Sequence, residues 1–248
     1  MTADPKPASL GWQTARVVEV VEETPDTSDL VLELRVWGGH LPGQHVDVRL
    51  NTPARYQAQR SYSIASAPED GYLVLTVERL DDGEVSPYLV DELEVDDHLE
   101  LRGPIGDYFV WDAAPGPPVL LVAGGSGIAP FRSMLRHRSF TQSEAECRLL
   151  YSARSLESLI YREELLRLSA YDEVDIRFNL TIDWPRDWRG YCGRLDSAIL
   201  SDAAWPPKRN AVTFVCGPSA FVENVAQTLV ALGHDPGVIK TERFGATG

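Results

Sequence analysis

An all-β antiparallel domain, barrel or sandwich, followed by an α/β domain with a parallel sheet is the fold class that the sequence predicts. Three observations carry it. Short alternating strands crowd the first half, a Pro/Gly-rich break follows them, and strands then alternate with helices. At 248 residues the chain has room for two domains, each large enough to bury a core.

The elements read in order as follows. Ala15–Val21 and Asp29–Val36 alternate apolar with polar over much of their length, and His45–Leu50, Tyr72–Arg79 and His98–Leu101 are similar runs. Turn signals separate them: Gly38-Gly39, Leu41-Pro42-Gly43, Glu69-Asp70-Gly71 and Asp81-Asp82-Gly83. One short helix is expected over Pro87–Leu93. Ala113–Pro118 breaks every pattern and reads as a linker. Beyond it come strands at Val119–Ala123, Arg148–Ala153, Asp175–Thr181, Thr213–Cys216 and Val238–Glu242. Helices are expected from Pro130, over Leu159–Leu168 and over Ala220–Leu232. The expected division is a tail at 1–10, a β domain at 11–112, a linker at 113–118 and an α/β domain at 119–248.

Composition narrows the function classes. Hydrophobic residues make up 44% and charged residues 24%, as in ordinary soluble domains. No apolar run is long enough for a membrane-spanning helix, and Met1–Pro7 lacks the apolar core of a signal peptide, so a cytoplasmic location is expected. Cys147, Cys192 and Cys216 lie far apart with no C-x-x-C, so they cannot by themselves build a zinc site or an iron–sulfur cluster. The net charge is −14, and residues 1–118 carry all of it, with 8 Lys/Arg against 22 Asp/Glu. A surface of that sign argues against nucleic acid as a ligand.

The first chemical signal lies in the second half. The run Val119–Ala123 leads into Gly124-Gly125-Ser126-Gly127-Ile128-Ala129-Pro130 and then a helix. Glycines let the backbone turn sharply and approach a pyrophosphate, Pro130 suits a helix start, and free amides there face an anion. A strand–glycine–helix turn is common, however, and the loop alone is a weak signal.

Two further strings add to it. Arg60-Ser61-Tyr62-Ser63 opens a strand in the β half, and Cys216-Gly217-Pro218 ends one in the α/β half. Together with Gly125-x-Gly127-x-x-Pro130, in this order, they make the chain resemble the ferredoxin–NADP reductase superfamily in its two-domain form without an iron–sulfur domain. The resemblance runs from about Gly11 to Phe244. It implies an antiparallel barrel binding FAD and an α/β domain binding NAD(P). Residue chemistry agrees: Arg60 offers a fork of donors to a phosphate, Tyr62 can lie flat on a flavin ring, and Ser63 can hydrogen-bond its nitrogen edge. Ser61 is grouped with them. Alone, Arg-x-Tyr-Ser is merely an alternating strand.

Gly83-Glu84-Val85-Ser86-Pro87-Tyr88-Leu89 resembles the family's second flavin segment, with Ser86 and nearby amides on the pyrophosphate, which favours FAD over FMN. Val77 and Arg79 would border the ribityl and adenine side. By the same resemblance Cys216, flanked by Gly217 and Pro218, and Ser126 would lie near the nicotinamide ring. Phe244 would shield the flavin opposite Tyr62. Ser63, Cys216 and Glu242 are the candidate catalytic groups. For the nicotinamide, Arg154 and Arg162 could hold a 2′-phosphate, which favours NADPH slightly over NADH. Leu180-Thr181-Ile182-Asp183 lacks the arginine that NADP-selective members often carry there.

The expected reaction passes electrons from NAD(P)H through FAD to a separate redox protein: a ferredoxin, a flavodoxin, or an oxygenase or molybdoenzyme partner. The chain is expected to act as a monomer. Arg132, Arg136 and Arg138 offer a basic docking patch or merely an exposed helix face. The five histidines, His40, His45, His98, His137 and His234, read as structural or exposed. Two other classes compete: a reductase of free flavin or quinone, and a non-catalytic dinucleotide-binding subunit. Intact Arg60, Tyr62, Ser63, Gly127 and Cys216 weigh against the second.

Overall fold

The computed structural model describes residues 11–51, 57–81, 83, 85–172 and 174–244. Two six-stranded sheets organise them. The first is antiparallel and comprises β1 (Gln13–Thr24), β2 (Thr27–Leu34), β3 (His45–Asn51), β4 (Gln57–Ser63), β5 (Leu73–Glu78) and β6 (His98–Ile105). Their order is β4-β3-β6-β1-β2-β5. The outer strands meet through an Ile64–Leu75 bridge and an Ala65 N–H donated to Val74 O at 2.8 Å, which closes the sheet into a barrel. Alternation then sends Val17, Leu30, Leu32, Val46, Val48, Leu75, Leu99 and Leu101 into one core. The expected short helix is a single turn, Tyr88–Glu92, whose Leu89 fills that core.

The second sheet is parallel: β7 (Val119–Gly124), β8 (Cys147–Ala153), β9 (Asp175–Leu180), β10 (Tyr191–Cys192), β11 (Val212–Pro218) and β12 (Ile239–Phe244), in the order β10-β9-β8-β7-β11-β12. Helices α1 (Ala129–Phe140), α2 (Arg162–Tyr171), α3 (Ser197–Ala203) and α4 (Ser219–Ala231) accompany it. The central strand β7 is buried at every residue, which is why it reads as an unbroken apolar run. The direction of winding reverses between β7 and β11, and open sheets of this kind bind ligands beyond the carboxyl ends at such a point.

Several elements differ from expectation. β10 and α3 are too short to show a period in the sequence, and neither was foreseen. The second helix starts at Arg162 rather than Leu159, because Tyr161 takes a left-handed backbone (φ 60°) and points its buried ring into the domain boundary. The chain also enters the second core ahead of the Pro/Gly break. Phe109 and Trp111 are buried there, with Phe109 edge-on to Phe214 at 5.2 Å, and Ala113, the first residue of the break, joins them.

The three arginines of α1 need correction. They form no exposed patch. Arg132 stacks 4.2 Å from the centre of the Tyr161 ring, donates to Glu164 at 2.9 Å and lies 3.4 Å from Asp29 of the barrel. Arg136 binds Asp70 of the barrel and Glu164, while Arg138 donates to the carbonyls of Ala145 and Asp172. At i, i+4 spacing Arg132 and Arg136 look like a solvated stripe, but each joins Glu164 of α2 to a barrel carboxylate, Asp29 or Asp70. The Tyr161 hydroxyl donates to Asp29 and is hydrogen-bonded to Thr76. Burial pushes the Asp29 carboxyl up, and Arg132 and Tyr161 pull it back.

Tyr161→Phe removes the hydroxyl from Asp29 and Thr76 and leaves both buried without it. The expected cost is about 1–3 kcal/mol, read as a fall in thermal midpoint of roughly 3–10 °C for a chain of this size. An unchanged midpoint would show that this hydroxyl does not hold the domains together.

Candidate active site

The barrel side is built on β3 and β4. Their pairing sets His45 opposite Ser63, Val46 opposite Tyr62, Asp47 opposite Ser61 and Val48 opposite Arg60. Because side chains alternate, Arg60 and Tyr62 share one face, while His45, Asp47, Ser61 and Ser63 share the other. Arg60 is exposed, donates to the Gln59 carbonyl at 2.8 Å, and meets no carboxylate among the described residues. Most of its fork is therefore available to an anion. Tyr62 is half-buried against the barrel core, and burial pushes its phenol well up, so it stays neutral. Ser61 donates to Asp47 at 2.7 Å, and Arg102 donates to the same carboxylate at 2.7 Å. Burial raises Asp47, but these donors outweigh it and hold the carboxyl below its ordinary value.

The second flavin segment is placed less directly. Val77 and Val85 point into the barrel core and are buried, so only their backbone could face a cofactor. The Ser86 hydroxyl accepts from Leu80 N at 3.0 Å, and Gly83 N donates to Leu80 O at 2.8 Å, closing a tight turn. The Ser86 hydroxyl keeps its own proton to donate. Arg79 is paired with Asp81 and Asp91. Glu84 and Asp82 lie outside the described residues.

The α/β side lies at the carboxyl ends of β7, β11 and β12. Gly125 has φ +55°, a conformation that other residues rarely adopt, and turns the chain into α1. A Cβ on Gly127 would sit 2.3 Å from the Cys216 carbonyl oxygen, so only glycine lets the loop pack onto β11. Pro130 is buried in the first turn of α1, and Ser126 is half-buried beside the loop. Register places Ala123, Cys216 and Glu242 in one row across three strands, with Gly217 beside Arg243 and Pro218 beside Phe244. Phe244 packs against the second core and is the last described residue of that strand.

The row has distinctive electrostatics. Glu242 is pushed up to about 7 by burial, and its Oε2 is buried without a partner. The Cys216 thiol is held far above its ordinary value by burial and by Glu242, so it remains a thiol. Across the boundary, His45 Nδ1 lies 3.6 Å from Glu242 Oε1. Of the three candidate catalytic residues, Cys216 and Glu242 are neighbours in the sheet, and Ser63 is the strand partner of the His45 that meets Glu242. Sequence reasoning passed over His45, because a lone histidine in an alternating strand carries no signal.

It also passed over Glu78. This β5 carboxylate pairs with Arg154 at 3.3 Å and would lie 3.5 Å from a Cβ on Gly125. Arg154 is exposed, and its carbonyl accepts from Ile182 and Asp183 N–H groups, which folds that segment beside it. Arg162 pairs with its neighbour Glu163 and is not drawn toward the loop.

A barrel that offers an anion-ready arginine beside a phenol, joined to a parallel sheet with a glycine loop at its carboxyl edge, has the two-domain architecture of a flavin and nicotinamide oxidoreductase. Residues 14–110 match the family described as "Oxidoreductase FAD-binding domain" and residues 121–227 match "Oxidoreductase NAD-binding domain". The chain belongs to this ferredoxin reductase-like family of FAD- and NAD-binding oxidoreductases.

Among its relatives is the glycine betaine monooxygenase reductase subunit of Chromohalobacter salexigens, 32% identical over 245 residues, covering 96% of this chain and 65% of that protein. Another is the ferredoxin reductase component of a 3-ketosteroid-9-alpha-monooxygenase from Rhodococcus rhodochrous, 31% identical over 235 residues, covering 93% and 64%. The chain therefore spans just under two thirds of each. Among solved structures, the flavohem-like FAD/NAD binding domain of nitric oxide dioxygenase from Vibrio cholerae O1 biovar El Tor superposes with a TM-score of 0.84 at 25% identity, covering 94% of this chain and 99% of that one. No described helix is long and apolar enough to cross a membrane.

The burial pattern predicts selective thiol chemistry. Alkylation of the native protein at mild alkaline pH should label Cys192, which is exposed, and spare the buried Cys147 and Cys216 until unfolding. Peptide mapping that found Cys216 modified in the folded protein would contradict its placement.

Proposed function

We propose that the chain is the flavoprotein reductase of an electron-transfer system, taking hydride from NAD(P)H and delivering electrons through FAD to a protein partner such as an oxygenase component. The observation that carries this reading is the close packing of Gly127 on the Cys216 carbonyl, which sets an anion-binding loop beside the Cys216–Glu242 row. Only then can a dinucleotide phosphate and a reacting ring be served by one site. The barrel residues fit FAD: Arg60 would hold a phosphate, Tyr62 would stack on the ring, and Ser63 would address its polar edge. When bound, FAD supplies the two-electron to one-electron conversion that no side chain here provides.

The side chains of this chain position and insulate. Cys216 gives a small, uncharged wall against which a nicotinamide could lie. Glu242, raised to about 7 by burial, holds a proton near neutrality at a half-buried carboxyl whose Oε2 is covered. Phe244, at the end of the same strand, would cover the ring face opposite Tyr62. For the nicotinamide, the expectation of NADPH rested on Arg154 and Arg162, both of which meet carboxylates of this chain. A 2′-phosphate would compete with Glu78 for Arg154, so we read the site as taking NADH and NADPH with little discrimination.

The relatives named as reductase components of monooxygenases support a protein acceptor. The acidic first half favours a partner with a positive face. With Arg132, Arg136 and Arg138 already paired inside the molecule, an acidic ferredoxin would find no attraction on α1. Reduction of free flavin or quinone is separated by rate: a protein acceptor should outpace both.

Purified protein should be yellow and should bleach under anaerobic NADH or NADPH. Arg60→Ala and Tyr62→Ala should each weaken FAD retention at least tenfold, about 1.4 kcal/mol, measured by flavin release on dilution. Full occupancy in both variants would overturn the flavin site. Arg154→Ala should lower kcat/KM for NADPH about tenfold, the loss of one charge-assisted hydrogen bond, and leave NADH within about twofold. Equal losses with both would remove Arg154 from the 2′-phosphate role.

A further inference from the structure

A cleft of about 340 Å³ lies away from the glycine loop, between the interdomain linker and the amino-terminal ends of β7, β11 and β12. Its walls are apolar: Val110 and Trp111 from the end of the barrel domain, and Val119, Val212 and Phe214 from the parallel sheet. Exposed linker residues 114–117 form its rim, together with the exposed Asp107 and Asp112. Lys240, the second residue of β12, supplies the one basic group in this lining. Its Nζ lies 5.0 Å from the centre of the Phe214 ring and 5.7 Å from that of Tyr108. Among the described residues no carboxylate comes within 4.0 Å of it, although Asp107 and Asp112 line the same cleft. Asp112 Oδ1 instead accepts from Ala114 N at 3.2 Å. With 37 Asp and Glu against 23 Lys and Arg in the chain, carboxylates are in excess, so an ammonium that meets none inside a cleft is a vacant anchor.

We propose that this cleft binds a small aromatic monocarboxylate, with the carboxylate on Lys240 and the ring among the apolar walls. Three features select that class. The volume sits at the low end of ligand pockets, roughly 300–1,000 Å³, so one ring with a short arm fits and a dinucleotide does not. The apolar walls reward a flat hydrophobic guest, while the ammonium gains a charge-assisted hydrogen bond that partial cover from water strengthens. The rim limits the guest to one negative charge, because a second would stand near Asp107 or Asp112 within a Debye length of about 8 Å. The place is also favourable, since junctions between domains are common sites for small ligands. Lys240 and Glu242 share one face of β12, as Phe214 and Cys216 share one face of β11. The guest would therefore sit two residues, about 7 Å, along these strands from the Cys216–Glu242 row. It would occupy a separate site, because the glycine loop lies at the opposite ends of the strands.

The test uses the full chain, with and without added FAD, because nothing in the cleft depends on the flavin. The sequence holds three lysines, Lys6, Lys208 and Lys240, so isotopic labelling of lysine nitrogen gives at most three backbone amide signals. Loss of a signal in Lys240→Gln assigns the one that matters. Benzoate is the probe, and benzyl alcohol, benzylamine and inorganic phosphate are its controls. Benzoate should move the Lys240 signal saturably, with a Kd at or below about 1 mM, and leave Lys208 in place. By calorimetry, Lys240→Gln should bind benzoate about tenfold more weakly, the loss of one charge-assisted hydrogen bond, whereas Lys240→Arg keeps the charge and should retain most of the affinity. Benzyl alcohol, with the ring and no charge, should be weaker by a similar factor. Val212→Trp fills the cleft and leaves Lys240 in place, so it should abolish the shift, and it decides the matter if the Lys240 variants do not fold. No saturable shift with benzoate, or equal affinity in Lys240→Gln, overturns the proposal. So does benzylamine binding as well as benzoate, since the rim carboxylates would then define the site. An equal shift with phosphate overturns it too, because the apolar walls would play no part. Failure to bind FAD would undo the functional reading and leave the benzoate titration unchanged.

Discussion

A guanidinium taken out of water is costly unless carboxylates surround it, and Arg132 sits with its side chain only 14% exposed between Asp29 of the barrel and Glu164 of the α/β domain. Removing one member of such a cluster leaves uncompensated charge in a dry place, typically a matter of about 3–5 kcal/mol. The same penalty acts against sliding or opening the domains, because either motion would separate the ions before water could replace them. Tyr161 adds direction. Its hydroxyl reaches Asp29 and Thr76 only because its backbone is left-handed, and its ring carries the guanidinium on one face. The angle between the two sheets is therefore held by polar geometry as well as by area.

That fixed angle gives meaning to the small distances at the other end of the boundary. Cys216 and Glu242 are neighbours by parallel register, which the α/β domain can guarantee alone. His45 and Ser63 are neighbours by antiparallel register, which the barrel can guarantee alone. Bringing the two pairs together requires the domains to dock in one orientation, and proximity effects in catalysis are sensitive to shifts of about 1 Å. A polar cluster that resists sliding is suited to that demand, since apolar surfaces alone allow more freedom in how they match.

The sequence made the local architecture legible and the long-range chemistry opaque. Alternation gave the barrel strands, a continuous apolar run gave β7, and glycines at 125 and 127 marked a turn that the structure uses for a left-handed step and a close backbone contact. Partners from another domain leave no periodic trace. Arg132 and Arg136 have the spacing of a wet helix face, and nothing near them in the chain announces Asp29 or Asp70. Tyr161 looked like part of a helix because its neighbours are apolar at helical spacing, while its own backbone is set by a contact 132 residues away. His45 was invisible for the same reason: its significance lies in Glu242, which enters from the opposite side of the fold.

The placement of Glu242 and Phe244 has a mechanical side. Strand β12 stands at the margin of its sheet and pairs with β11 alone. Margin strands loosen more readily than central ones, so the groups at this end can let go while the rest of the protein stays folded. A molecule wedged between that strand and the barrel would draw the loosened backbone back into place. Occupancy and local order would then rise together, because β11 is the one strand that holds this ribbon.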